Sequence, residues 1–259
     1  MIELERDNYD KVKEFADINT CDKVYPFSIL EGRQVGQVFV DSLASIKSVL
    51  FWHYCGFAYI VGDSSEIFLK DISYLIKQEY ELNQRRLVLQ INNDKLDRYF
   101  SNISEIVRVE QYRFVFKQDK YDERSLLSLQ NGFEIRELDK YILSKLEGRI
   151  IPAYSWNSSE DFLEKGKGYC ILHGNEIVTV AFTAAISDTE VDIGIETKKK
   201  YRKQGFGKCV ASRMVKDILK MNKTPIWECN TNNLGSKAIA ESVGFEVLET
   251  HPLFMKKII

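Results

Sequence analysis

The eight residues Tyr201-Arg202-Lys203-Gln204-Gly205-Phe206-Gly207-Lys208 constrain this chain more than any others. They join a predicted strand over 190–196 directly to an amphipathic helix that begins near Gly205. In that helix Phe206, Val210, Met214 and Ile218 recur every four residues, while Lys208, Ser212, Lys216 and Lys220 fall on other faces, the pattern of a helix packed on a sheet. A strand that turns into a helix through two glycines sets a row of backbone N–H groups at the helix start. An anion is held there by unpaired donors and by the positive end of the helix dipole. The same turn needs glycine for steric reasons whether or not it binds anything.

Around this loop the periodicities lay out a meander. Residues 133–138 largely alternate apolar and charged side chains, and Asp139 is positioned to cap a helix through Leu146. Residues 168–173 and 177–186 are strand-like runs joined by Gly174-Asn175-Glu176, a hairpin signal, and Asp188-Thr189 turns the chain into 190–196. A strand over 225–229, a helix over 236–243 and a closing antiparallel pair, 245–249 with 253–258, complete a mixed, mostly antiparallel sheet. The first half carries strand runs at 36–41, 48–53, 57–61, 87–91 and 113–116, and Phe68, Ile72, Leu75 and Ile76 mark a helix. This order loosely echoes the second half without the glycine loop, as a diverged copy of one fold would. The polar segment 117–131 reads as a linker, part of which packs through Leu126, Leu127 and Leu129, giving an α/β domain over 1–120 and a second domain over 132–259.

With 259 residues, 44% of them hydrophobic, the chain can bury two cores. A formal charge of −2 gives no reason to expect nucleic acid or an anionic membrane as partner. Cys21, Cys55, Cys170, Cys209 and Cys229 are odd in number and widely spaced, with only three histidines beside them. Reduced thiols are expected rather than a disulfide frame or a metal site. The charged start Met1-Ile2-Glu3-Leu4-Glu5-Arg6-Asp7 lacks an apolar leader, and no apolar run approaches a membrane span. A cytoplasmic protein is the expectation, with a homodimer left open.

Arg202-x-x-Gly205-x-Gly207 follows a three-strand meander and precedes a strand, an Asn-bearing helix start and Gly244-Phe245. In that order these residues resemble the GNAT superfamily of acetyl-CoA-dependent N-acetyltransferases, whose phosphate loop reads Gln/Arg-x-x-Gly-x-Gly/Ala. More narrowly, Trp227-x-Cys229, Asn233-x-x-Ser236, Ala240-Glu241 and Gly244-Phe245, with Trp156, Asp161-Phe162 and Gly166-x-Gly168 upstream, resemble the group that includes zwittermicin A resistance-type acetyltransferases.

The resemblance implies an α+β GNAT fold from about residue 133 onward, acetyl-CoA as co-substrate, a small-molecule amine as acceptor and a first domain that shapes the acceptor site. It implies that Arg202, Lys203, Gln204, Gly205, Phe206, Gly207 and Lys208 hold the pyrophosphate. By the same resemblance, the backbone of Ile193, Ile195 and Thr197 pairs with the pantetheine arm like an added strand, with Gly194 at or near a bulge. Asn233 and Ser236 sit where the family places polar contacts to the cofactor, and both are equally good helix caps. The run Lys198-Lys199-Lys200 with Lys203 is either a solvated face or an attraction for the cofactor's 3′-phosphate. The segment 151–159, holding Tyr154 and Trp156, is either an acceptor-shaping loop or one anchored by aromatic packing.

A thioester is already activated, so acetyl transfer needs the amine brought close, its proton removed, the oxyanion stabilised and the thiolate reprotonated. Several GNAT enzymes present a glutamate from the region twelve residues before the Arg202 position, which makes Glu190 the candidate base. Strand alternation makes Asp192 and Glu196 its rivals, and a bulge at Gly194 would move Glu196 to the other face. Many members carry a tyrosine as general acid where this chain has Ala240, leaving Tyr201, Tyr154, His251 or water to supply that proton. Two readings follow: an active acetyltransferase, or a catalytically silent acetyl-CoA-binding or interaction module. Neither nucleotide-binding glycine motif with its flanking signature appears.

Overall fold

The computed structural model describes residues 1–82, 86–122, 129 and 131–257. Local capping sets several helix starts. Asn93, Asp139, Ser158 and Asn233 each accept a hydrogen bond from the backbone N–H three residues on, at Leu96, Ile142, Asp161 and Ser236, the arrangement that satisfies an otherwise orphaned donor.

The chain forms two compact units, Met1–Gln111 with Thr250–Ile259, and Tyr112–Glu249. Both run through the same elements: a strand, two short helices, three meander strands, a helix, a strand, a helix and a strand. In the first unit these are Ile2–Glu3, Lys13–Asp17, Val24–Leu30, Gly36–Val40, Ser48–His53, Phe57–Gly62, Glu66–Leu82, Val88–Gln90, Asp94–Phe100 and Ile106–Phe116. In the second they are Phe133–Glu137, Lys140–Leu143, Ser159–Lys165, Gly168–His173, Glu176–Ile186, Glu190–Thr197, Phe206–Lys220, Thr224–Ile226, Leu234–Ser242 and Phe245–Lys256. The pairing repeats too: four antiparallel neighbours, then one parallel strand joined to the third meander strand. The first unit is thus a copy of the second's fold. Its short helices escape a periodicity reading because five to seven residues give less than two turns of pattern.

In the second unit the helix Phe206–Lys220 packs on the meander, burying Val191 and Ile193 with Val210, Met214 and Ile218. The first unit gathers Leu50, Ile60, Phe68, Ile72, Leu89, Phe100 and Phe254. Among the described residues no helix is long and apolar enough to cross a membrane, and all five cysteines are free thiols.

One feature differs from the sequence expectations and two others sharpen them. The closing hairpin is instead one twelve-residue strand, Phe245–Lys256, whose Leu253, Phe254 and Met255 pair with Gln90, Leu89 and Val88; residues from Thr250 on belong to the first unit. The segment 117–131 packs in part, as its leucines suggested: Tyr121 and Leu129 lie against the second core, and the Tyr121 hydroxyl donates to the Ser212 carbonyl at 3.0 Å. Its residues Glu123, Arg124, Leu126 and Leu127 lie outside the described residues. Third, the expected irregularity near Gly194 falls between Asp192 and Ile193, and the extra residue, Ala184, is on the partner strand. Gly194 answers to a different need, because a Cβ there would stand 2.7 Å from the Phe182 ring.

The turn leading into the glycine loop is tied to the hairpin beneath it. Glu176 accepts from Lys198 (3.2 Å), Lys200 (2.8 Å) and the Tyr201 hydroxyl (2.8 Å), and Lys200 first, then Tyr201, holds its carboxyl down to about 2. A carboxyl depressed on folding contributes stability that is present above its unfolded pKa and is lost as pH falls through the folded value. Carboxyl NMR should therefore show Glu176 titrating near 2 in wild type and moving back up in Lys200→Met; a wild-type midpoint at the ordinary 4.5 would rule the tether out. Gly194→Ala should cost about 1–3 kcal/mol through overpacking against Phe182, read as a lower urea midpoint at unchanged slope.

Candidate functional site

The strand Glu190–Thr197 is paired with Glu176–Ile186 from Val191 to Thr197 on one edge. On the other it pairs with Thr224–Ile226 only at Glu190, Val191 and Asp192. Trp227 then turns away, its indole N–H donating to Ser236 Oγ at 3.0 Å and its carbonyl accepting from Phe114 N at 3.2 Å, and the chain continues in the separate strand Glu228–Asn230. Among the described residues, the edge from Ile193 to Thr197 has no second ladder partner. Backbone polar groups on such an edge can pair with an extended ligand. The Thr197 carbonyl accepts from Arg202 Nε at 3.0 Å.

The loop that follows makes a 3-10 turn, Lys199–Tyr201, then places Lys203 at φ 62° and Gly205 at φ 84°. Both are left-handed positions, and backbone of this kind forms anion-binding concavities. Gly205 is the N-cap of the helix Phe206–Lys220, and no side chain caps it. The first-turn amides and the dipole therefore face the loop without a side-chain acceptor, which is the chemistry an anion satisfies. Arg202, Lys203 and Gln204 are exposed and Lys208 is half-buried. The Phe206 side chain is buried against Phe133, ring centroids 4.6 Å apart, so only its backbone faces the loop. Gly207 is buried, and a Cβ there would lie 2.6 Å from Ile239 Cδ1.

Asn233 and Ser236 come together as an N-cap, the Asn233 carboxamide oxygen accepting from Ser236 N at 3.2 Å, while Ser236 Oγ receives Trp227. The capping role is thus present, and through Trp227 it also holds the two strands apart. Ala240 is fully buried. Of the groups considered as proton donors in its place, the Tyr201 hydroxyl already donates to Glu176, which raises its pKa. Tyr154 is 49% exposed, and His251 is buried in the first unit, 2.8 Å from Gln90. The lysine run divides: Lys198 and Lys200 are drawn to Glu176, and Lys199 and Lys203 are exposed.

Because the extra residue at the irregularity lies on the neighbouring strand, Glu190–Thr197 alternates without interruption. Thr197 Oγ1 lies on the helix side, 3.5 Å from where a Gly207 Cβ would be. Glu190, Asp192, Gly194 and Glu196 share the opposite face. Glu190 and Asp192 are half-buried, and the Glu190 N–H is held by Ser187 Oγ at 3.0 Å. Glu196 is engaged elsewhere, accepting the backbone N–H groups of Arg149 and Ile150. The sequence offered no sign of this last contact, nor of the tether at Glu176, because both join residues far apart in the chain.

Comparison with known proteins agrees with this geometry. A family model described as GNAT acetyltransferase matches residues 18–254. A protein named as an uncharacterized N-acetyltransferase, YdfB of Bacillus subtilis strain 168, is 25% identical over 254 residues, covering 97% of each chain. Among solved structures, a GCN5-related N-acetyltransferase-like protein from Streptococcus suis 89/1591 superimposes with a TM-score of 0.78 at 20% identity, over 97% of this chain and 99% of that one. A tandem GNAT protein from the clavulanic acid biosynthesis pathway does so with a TM-score of 0.62 at 9% identity, over 99% and 97%. The latter two are likenesses of fold alone, and the second matches the doubled architecture seen here. The chain belongs to the GNAT acetyltransferase family, a family of N-acetyltransferases.

Proposed function

We propose that this chain transfers the acetyl group of acetyl-CoA to a primary amine of a small molecule by direct attack in a ternary complex. The observation that carries this reading is a helix start with no side-chain cap, behind a left-handed Gly205 and beside a strand edge that loses its ladder partner after Asp192. In this reading the loop Arg202 to Lys208 takes the pyrophosphate through main-chain N–H groups. Backbone groups of Ile193, Ile195 and Thr197 take the pantetheine arm as an added strand. Asn233 and Ser236 stand at the next helix start, where they contact the cofactor while capping. The thioester then reaches the point where the strands part, beside Asp192.

Glu190 is the base of this mechanism, directly or through a water, with Asp192 as its rival; Glu196 drops out because its Oε2 is committed to two amides. With Ala240 unable to give a proton, the leaving thiolate is reprotonated by Tyr201, Tyr154 or solvent. All residues assigned to the cofactor lie in the second unit, and the protein works in the cytoplasm, where free thiols persist. Trp156, Trp227 and Gly244-Phe245 support a narrower kinship with the zwittermicin A resistance-type group. The second reading, a silent acetyl-CoA-binding module, draws on the buried Ala240; thiol release with an amine panel separates the two.

Gly205→Val should abolish acetyl-CoA binding by calorimetry in a folded protein, since a β-branched residue resists φ 84° and fills the anion's space. Glu190→Gln should lower turnover by roughly 10²–10⁴-fold with acetyl-CoA affinity little changed. Equal turnover across the pH range would pass the role to Asp192.

A further inference from the structure

Glu196 holds a carboxylate that the chemistry above does not use. Its Oε2 accepts the N–H of Arg149 at 2.9 Å and of Ile150 at 2.7 Å. Gly148, just before them, sits at φ 132°, and a Cβ there would meet the same oxygen at 2.9 Å. The segment is wrapped on one carboxylate by two charge-assisted hydrogen bonds, and the left-handed φ of Gly148 favours glycine at the start of the wrap.

Further along, Trp156 donates its indole N–H to the Thr183 carbonyl at 2.8 Å. Thr183 pairs with Ile193, one residue past the end of the parallel ladder. Between these anchors Pro152–Tyr154 forms a 3-10 turn with Pro152 buried, packed on the strand Glu176–Ile186. Residues 148–156 are therefore a strap tied at Glu196 near the loop and at Thr183 near the parting of the strands. It lies on the face that carries Glu190 and Asp192, away from the helix Phe206–Lys220. Beside its first anchor opens a cleft of about 710 Å³, lined among others by Lys145, Leu146, Gly148, Val178, Val180 and Glu196.

We propose that Glu196 is a positioning residue: its carboxylate fixes the strap 148–156, and the strap is the wall that aligns the amine acceptor with the thioester, the cleft taking the acceptor's body. This rests on the acetyl-transfer reading above. The acceptor is singled out over the cofactor because the strap and the helix start lie on opposite faces of the strand. A loosened strap misplaces the amine and leaves the pyrophosphate loop as it was. A displacement of about 1 Å at a reacting group costs up to roughly 10²-fold.

The test uses the full chain with Glu196→Ala, Glu196→Gln and Gly148→Ala, and two readouts. Amide exchange at Arg149 and Ile150 should be slow in wild type and in Glu196→Gln, whose carboxamide oxygen still accepts both bonds, and fast in Glu196→Ala. With an amine that wild type acetylates, the acceptor KM should rise roughly tenfold or more in Glu196→Ala and Gly148→Ala. The acetyl-CoA KM should stay within about twofold, with Glu196→Gln close to wild type. Should Glu196→Ala fail to fold, Gly148→Ala carries the kinetic test. The inference is overturned if wild type turns over and the variants match its acceptor KM, if both KM values rise together, or if Glu196→Ala keeps its exchange protection. Wild type that binds acetyl-CoA yet acetylates no amine defeats instead the reading on which the inference rests, and the inference with it.

Discussion

Three parallel pairs join Glu190–Thr197 to Thr224–Ile226, and the ladder then stops. A sheet that kept pairing would have no edge to offer and no gap for a ligand. What ends it is a matter of where Trp227 finds its partners. Its indole N–H goes to Ser236 and its carbonyl to Phe114, so the chain is drawn off the sheet by bonds it would otherwise leave unmade at a buried position, a loss worth about 1–3 kcal/mol for each unsatisfied group. The cap at Asn233, the open edge from Ile193 on and the approach to the helix start all follow from that diversion.

The two units show how little separates a copy of this fold with an uncapped, acid-free helix start from one without. Their elements and pairings match, yet the turn from the third meander strand to the long helix differs. In the first unit Asp63-Ser64-Ser65 leads into a helix whose first turn carries Glu66. In the second, eight residues, 198–205, with five basic side chains ahead of Gly205 lead to a helix start without an acid. An acidic first turn is itself the anion that complements the dipole, and it leaves the first helix start with no call for another.

Much of the second unit was legible because long runs speak clearly. The 3.6-residue period from Phe206 to Ile218, the hairpin at Gly174 and the glycine loop predicted elements that stand within a residue or two of the observed ones. What escaped was set by contacts between distant residues. Gly194 marked the neighbourhood of a bulge, but the bulged residue, Ala184, is on the adjacent strand and carries no local mark, and Phe182 beneath Gly194 is a separate reason for glycine. Gly207, read as a phosphate-loop residue, also lies close to Ile239, a contact no spacing rule shows. The carboxylates of Glu176, read as part of a hairpin turn, and of Glu196, placed by alternation on its strand, are tethers whose partners no spacing rule connects to them. The closing pair expected over 245–249 and 253–258 is one strand, in which Pro252 is tolerated because a proline can sit where the strand does not need that N–H.

That final strand makes the second unit, in sequence terms, an insertion within the first. Val88–Gln90 can acquire its antiparallel neighbour only after all of Tyr112–Glu249 has been synthesised. A protein emerging from the ribosome usually completes its N-terminal domain first; here the order is reversed for part of the sheet, and the second unit can be whole while the first still shows an unpaired edge. Such an edge is a template for wrong pairing until it is covered. The interval between the two events, rather than the stability of either fold, is where this chain is most exposed to aggregation.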